Sequence, residues 1–115
     1  MTVEDIRKIL GARVLTGEDR LREEVTSACG ADMMSDVLAF SIDHSVLLTG
    51  LCNLQVIRTA ELLDIVCIVL VRGKKPDEAM IALAREGGII LLVTGHRMFS
   101  ACGMLYEAGL HGGAV

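Results

Sequence analysis

Three short segments, each of which follows an apolar run, combine a glycine with basic or other polar residues. The residues in these segments that could contact a ligand are Gly50, Cys52, Asn53, Arg72, Gly73, Lys74, Thr94, His96 and Arg97. Glycine lets the backbone approach a ligand closely, and arginine and lysine place positive charge beside it. The pattern predicts a site for an anionic small molecule, although glycine after a strand is also ordinary turn chemistry.

The common catalytic signatures are missing from the sequence. It has no glycine loop ending in Lys-Ser/Thr, no GxGxxG, no nucleophile elbow and no HExxH motif. Cys52, His96 and Cys102 would form a metal site only in a geometry that their spacing does not indicate, so we expect no metal and no cofactor. A weaker alternative is an enzyme that uses an activated thiol at Cys52 or the imidazole of His96.

Three continuous apolar runs predict strands that are covered on both faces: residues 46–48, 65–71 and 89–93. Each run is followed by a helical pattern, and right-handed crossovers then imply a three-layer α/β fold with a mainly parallel sheet and helices on both faces. In such sheets ligands bind outside the carboxyl ends of the strands, where the three glycine-containing segments lie.

Helix boundary signals place the remaining elements. Thr2 and Asp5 predict a capping box for a first helix that stops at Gly11. Residues 12–16 and 24–29 are predicted to be extended. Asp32 is predicted to cap a helix that runs to about residue 40, and Pro76 to occupy the first position of another helix. The last helix is predicted over residues 96–108.

Length and charge limit the classes of partner. The chain has 115 residues, enough for one domain spanning residues 1–115, and its net charge of −4 with scattered basic residues argues against nucleic acid. With 52% hydrophobic residues in so small a domain, we expect some apolar surface to meet a second copy in a homodimer. The helix at Met33 and Met34 and the segment 25–29 are the candidate interface.

The longest apolar run, residues 65–71, is far shorter than the roughly 20 residues that span a bilayer. The amino terminus is polar and acidic, and the four cysteines form no CxxC pair. Free thiols in a reducing compartment are the simplest interpretation, so we expect a cytoplasmic protein with no membrane partner.

Residues 68–78, 89–94 and 98–109 resemble successive blocks of DRTGG-domain proteins, and residues 25–26, 36–38 and 46–49 fall in the order of that family's earlier blocks. The resemblance covers nearly the whole chain and is greatest to single-domain members from anaerobic bacteria, found beside genes for hydrogenase-type complexes and signalling proteins. The family also resembles the amino-terminal domain of HPr kinase/phosphorylase, and it occurs fused to CBS-domain pyrophosphatases and to phosphotransacetylases.

The resemblance implies a fold like that HPr kinase domain and a non-catalytic regulatory or ligand-sensing role in an oligomer, with a protein partner in an anaerobic redox or signalling complex. The alternative function is a protein that binds a nucleotide or phosphorylated metabolite at the three loops. The sequence departs from the family motif at residues 51–53, where Asp-Arg would lie, and at residues 71–73, where Thr-Gly-Gly would lie and only Gly73 matches.

Overall fold

Five helices and five strands are present in the computed structural model, which describes residues 1–42 and 44–113. The helices are α1 Val3–Leu10, α2 Met34–Phe40, α3 Leu54–Leu62, α4 Glu78–Glu86 and α5 Met98–Glu107. The strands are β1 Arg13–Thr16, β2 Ser27–Gly30, β3 Ser45–Thr49, β4 Cys67–Leu70 and β5 Ile90–Val93. Among the described residues, no helix is long and apolar enough to cross a membrane.

All five strands form one mixed sheet in the order β1-β5-β4-β3-β2. Strands β2, β3, β4 and β5 pair in parallel, whereas β1 pairs antiparallel with β5 and places Arg13 opposite Val93. The parallel strands therefore all end at the same side of the sheet.

Helices cover both faces of this sheet. On one face, Val46, Val69 and Leu92 share a buried cluster with residues of α1 and α5. On the other, Leu47, Ile68 and Leu91 share a second buried cluster with residues of α2, α3 and α4. Every residue of β3 and β4 is buried, which explains why these strands are continuously apolar or carry small hydroxyl and thiol groups.

The predicted capping box of α1 is confirmed. Thr2 Oγ1 accepts from Asp5 N at 3.1 Å, and Asp5 Oδ2 accepts from Thr2 N at 2.9 Å. The helix ends at Leu10. Gly11 follows it as the C-cap residue, in the left-handed conformation (φ 58°) that is common at this position.

Other predicted helix starts are wrong by one or two residues. The residue before α2 is Met33, which makes no side-chain cap, because the carboxylate of Asp32 is used elsewhere. Helix α4 is capped by Asp77, whose Oδ1 accepts from Met80 N at 2.9 Å, so Pro76 precedes the helix instead of opening it. Helix α5 begins at Met98, because the backbone of Arg97 is still extended.

The segment 25–29 is not the apolar surface expected for an interface. Val25 is buried in the core and its N–H donates to the carbonyl of Met1 at 2.7 Å, so it belongs to the packing beneath α1. Residues 27–29 of this segment belong to β2, which lies at the outer edge of the sheet.

Candidate functional site

The four parallel strands end at one side of the molecule, which we call the carboxyl edge: residues 31–33, 50–53, 71–77 and 94–97. All nine residues predicted to contact a ligand lie in these loops. The loops after β3, β4 and β5 are neighbours because the strands themselves are hydrogen-bonded neighbours.

Asp32 holds the loop after β3 in place. Its Oδ1 accepts from Gly50 N at 2.7 Å and from Thr49 Oγ1 at 3.1 Å. Thr49 Oγ1 in turn accepts from Leu51 N at 3.1 Å. The predicted role of Asp32 as a helix cap is thus wrong, and the residue instead anchors the start of the adjacent loop.

The loop after β4 is a tight turn with both central residues in the left-handed region, at φ 62° for Arg72 and 65° for Gly73. Lys74 N donates to Val71 O at 3.4 Å, as in a type I′ turn. Two more bonds tie the turn to the loop after β5: Arg72 N donates to His96 O at 2.8 Å, and Gly73 N to Thr94 O at 2.9 Å. The left-handed conformation costs about 1–2 kcal/mol of conformational free energy for arginine, whereas glycine adopts it without this cost.

The guanidinium of Arg72 lies directly over Gly50. A Cβ at residue 50 would come within 3.0 Å of Arg72 Cζ and 3.2 Å of Nε, so any side chain there would displace the guanidinium. Gly50 is buried while Arg72 is exposed. Arg72 therefore connects the loops after β3 and β4 and keeps a positive charge at the surface.

Three of the predicted residues are partly or wholly used in holding the structure together. Asn53 Oδ1 caps α3 by accepting from Val56 N at 3.3 Å. Thr94 is buried, and its hydroxyl donates to Leu10 O at 2.8 Å and accepts from His96 N at 3.3 Å. The half-buried thiol of Cys52 lies 3.8 Å from the sulfur of Met80.

Burial raises the pKa of the Cys52 thiol, and the positive charge of Lys74 only partly offsets that effect. A catalytic cysteine requires a shift in the opposite direction, because the thiolate is the nucleophile. Among the residues described, no group of three or more His, Cys, Asp or Glu side chains is arranged to hold a metal ion.

In the described part of the chain, no ion pair neutralises the positive charge at the carboxyl edge. The four ion pairs within residues 1–42 and 44–113 join Met1 to Glu24, Arg7 to Glu4, Arg20 to Glu23 and Arg85 to Glu18. None includes the exposed side chains of Arg72, Lys74, Lys75 or Arg97. An anion at this edge would therefore not have to break an existing pair.

Arg13 also belongs to the carboxyl edge, and sequence reasoning missed it. It is exposed and lies opposite Val93, the last residue of β5, because β1 starts at this end and runs antiparallel. No local signal in the sequence gives the direction of β1, so its first residue could not be assigned to the site.

A cleft of about 430 Å³ lies at the opposite side of the sheet, which we call the amino edge. It lies where β3, β4 and β5 begin. Its charged lining residues are Arg20, Glu23, Glu61 and Asp64, and His44 lines it as well. Helices α3 and α4 end there. Carboxylates and helix C-termini both disfavour a bound anion, despite the available volume.

No protein-family model matches the chain. No curated protein sequence matches it either. A solved structure is similar in fold: the CBS and DRTGG domains of the regulatory region of a Clostridium perfringens pyrophosphatase, complexed with the activator diadenosine tetraphosphate, with a TM-score of 0.76 and 18% identity. The match covers 93% of this chain but only 46% of that one. At this identity the likeness establishes a CBS/DRTGG-like α/β fold.

Proposed function

We propose that this chain is a non-catalytic regulatory domain of the DRTGG type that binds a phosphate-bearing small molecule at the carboxyl edge. The single observation that carries the proposal is Arg72, held in a left-handed conformation with its guanidinium over Gly50. Strained residues persist where the surrounding structure or a function requires them. Here the strained turn places a positive charge between two loops, and no ion pair within residues 1–42 and 44–113 neutralises it.

The electrostatics of the edge support an anion. Helices α3, α4 and α5 each begin there, and helix N-termini carry partial positive charge. The exposed basic side chains of Arg13, Arg72, Lys74, Lys75 and Arg97 add to that field. Asp32, Asp77 and Glu78 oppose it, but Asp32 and Asp77 already accept backbone N–H groups.

A nucleotide is the ligand class we favour. The pyrophosphatase region of similar fold was crystallised with diadenosine tetraphosphate as its activator, and we extend that chemistry to this chain. The phosphates would meet the basic side chains of the loops. Gly50, Cys52, Asn53, Gly73, Lys74, Thr94, His96 and Arg97 complete the proposed site, with Asn53 and Thr94 acting through the loop conformation they maintain.

The finer assignments belong to this same proposal. They are a single DRTGG domain over residues 1–115, the likeness to the HPr kinase amino-terminal domain, a homodimer, a protein partner in an anaerobic redox or signalling complex, and a cytoplasmic location. Burial raises the pKa of the Cys52 thiol, which argues against a nucleophilic role for Cys52. Turnover of phosphoryl, acyl or redox substrates well above background would contradict the regulatory assignment.

The test is a thermal-shift panel of mononucleotides, diadenosine tetraphosphate and inorganic phosphate on the purified chain. A ligand at 100 times its dissociation constant stabilises the fold by about 2.7 kcal/mol, which for a domain of this size raises Tm by roughly 10 °C. A shift with phosphate-bearing ligands, and none with the matching nucleosides, is expected. No shift with any phosphate-bearing compound would contradict the proposal.

A further inference from the structure

Helix α5 exposes aromatic side chains on the side that faces solvent, next to the polar residues Ser100 and Glu107. Its inner residues Ala101 and Leu105 are buried in the core, yet on its outer side Phe99 is 91% exposed and Tyr106 is 63% exposed. These are two of only three aromatic residues in the chain. The helix has one charged residue, Glu107, at its last position. Large exposed apolar side chains that lie together on one side of a helix often mark a surface for protein–protein contact.

Gly103 lies between the two aromatic residues on this outer face. A Cβ at residue 103 would meet nothing within 4 Å, so no contact within the described part of the chain requires glycine there. Glycine inside a helix costs about 1 kcal/mol relative to alanine. A glycine at this position lets another backbone approach the helix closely.

The three residues form one stripe, since Phe99, Gly103 and Tyr106 are spaced four and three residues apart. When two copies of such a helix cross antiparallel about a two-fold axis at Gly103, Phe99 of one copy faces Tyr106 of the other. Tyr106 is already positioned for this by its ring contact with His111, at 4.2 Å between centroids. The stripe is self-complementary, as a two-fold interface requires.

The charges at the two ends of α5 are complementary in the same arrangement. Arg97 precedes the helix, Glu107 ends it, and both side chains are exposed. Arg97 lies six residues before Gly103, and Glu107 lies four residues after it. In an antiparallel pair centred at Gly103, these two residues of opposite copies are therefore offset by two residues. The mismatch of two residues is about 3 Å along the axis, which an arginine side chain can span.

We propose that α5 is the surface through which two copies of this chain pair. Helix α2, the alternative suggested by Met33 and Met34, lacks these properties, because Met34 is buried in the core. Its only charged residue is Asp36, so it has no basic residue to complement that charge, and it contains no glycine. This inference deepens the homodimer in the proposed function. It shares Arg97 with the proposed anion site, whereas Phe99, Gly103 and Tyr106 lie outside that site, so their variants test pairing separately from anion binding.

The test compares glutamine substitutions at exposed positions by sedimentation equilibrium. Phe99→Gln and Gly103→Gln should each raise the dimer dissociation constant by roughly 30-fold, as the loss of an interface hot spot does. Met33→Gln and Leu62→Gln, which change side chains that are 63% and 75% exposed, are matched controls and should change it less than about 2-fold. Gly103→Gln should also raise Tm of the monomer, so misfolding cannot explain a loss of pairing.

A charge exchange gives an independent readout. Glu107→Arg should weaken the dimer, and adding Arg97→Glu to it should restore pairing at low salt. A wild-type chain that stays monomeric at hundreds of micromolar would overturn both the homodimer and the α5 surface. A dimer that is weakened by Met33→Gln but not by Phe99→Gln or Gly103→Gln would overturn the α5 surface alone.

Discussion

The two edges of the same sheet differ in what they offer a ligand. The amino edge has a cleft of about 430 Å³, whereas the carboxyl edge presents short loops that are bonded to one another. At the amino edge Arg20 and Arg85 are paired with carboxylates, while no basic side chain of the carboxyl edge takes part in an ion pair among the residues described. The amino edge therefore offers a cleft, and the carboxyl edge offers basic side chains that are available to an anion.

The topology of the fold produces this difference. Each parallel strand is followed by a helix that starts at the carboxyl edge and ends at the amino edge. Partial positive charge from helix N-termini thus accumulates where the basic loops lie, and partial negative charge accumulates near Glu61 and Asp64. For an anionic ligand, charge and donor geometry outweigh volume, which is why we place the site away from the cleft.

The largest loss of nucleotide affinity is expected from Arg72→Asn. Asparagine fits the left-handed turn better than arginine, so the free energy of unfolding should rise by up to about 1 kcal/mol. Loss of a charge-assisted hydrogen bond to phosphate should weaken nucleotide binding by roughly 10- to 100-fold. Isothermal titration and chemical denaturation measure the two quantities, and unchanged affinity in the stabilised variant would remove Arg72 from the site.

A smaller loss is expected from Gly50→Ala, because the added methyl group must displace the Arg72 guanidinium but leaves its charge nearby. We expect affinity to fall by about 10-fold, equivalent to about 1.4 kcal/mol. Gly95→Ala is the matched control, since a Cβ there meets nothing within 4 Å, and it should change affinity less than about 2-fold. Equal losses in both variants would indicate general loop damage instead of a specific role for Arg72.

The two edges also differ in their thiols, because Cys67 at the start of β4 is fully buried whereas Cys52 at the carboxyl edge is half-buried. Burial raises the pKa of the Cys67 thiol far above its ordinary value. The folded chain then keeps a proton that the unfolded chain releases above about pH 8.5, so the stability is complete below that pH and falls as pH rises further.

The expected loss from Cys67 is at most about 1.4 kcal/mol per pH unit above roughly pH 9. Denaturant titrations of the wild type and Cys67→Ala between pH 7 and pH 10.5 measure it. The slope with pH should be shallower in the variant. Identical slopes would contradict the role of this thiol.

No change is expected when the amino edge is altered. Glu61 packs against Gly87 within the cleft, and Glu61→Gln keeps its shape while removing one negative charge. Nucleotide affinity should stay within about 2-fold of the wild type, since a charge at that distance is largely screened. A clear gain or loss of affinity would show that the cleft takes part in binding.

Sequence reasoning located the candidate loops because they follow strands whose continuous apolar runs identify them. Strands β3, β4 and β5 are buried on both faces, which is the physical origin of those runs. Each of the nine predicted residues follows one of these strands in the sequence. Their common location at the carboxyl edge could therefore be predicted from the order of strands and helices along the chain.

Contacts between residues that are distant in the sequence could not be predicted. An aspartate before a helix can cap it or reach sideways, and only the nearby Gly50 N–H and Thr49 hydroxyl draw Asp32 to the loop. Arg13 reaches the edge because β1 is antiparallel, a direction that its four residues do not encode. The guanidinium of Arg72 over Gly50 likewise depends on the pairing of two strands.

The location of the anion is tested most directly by an amide NMR titration of the chain with diadenosine tetraphosphate and with inorganic phosphate. We expect the largest shifts at the amides of Gly50, Arg72 and Gly73, with those of Gly87 and Gly88 unchanged. Shifts concentrated at Gly87 and Gly88, or no shifts with either anion, would contradict binding at the carboxyl edge.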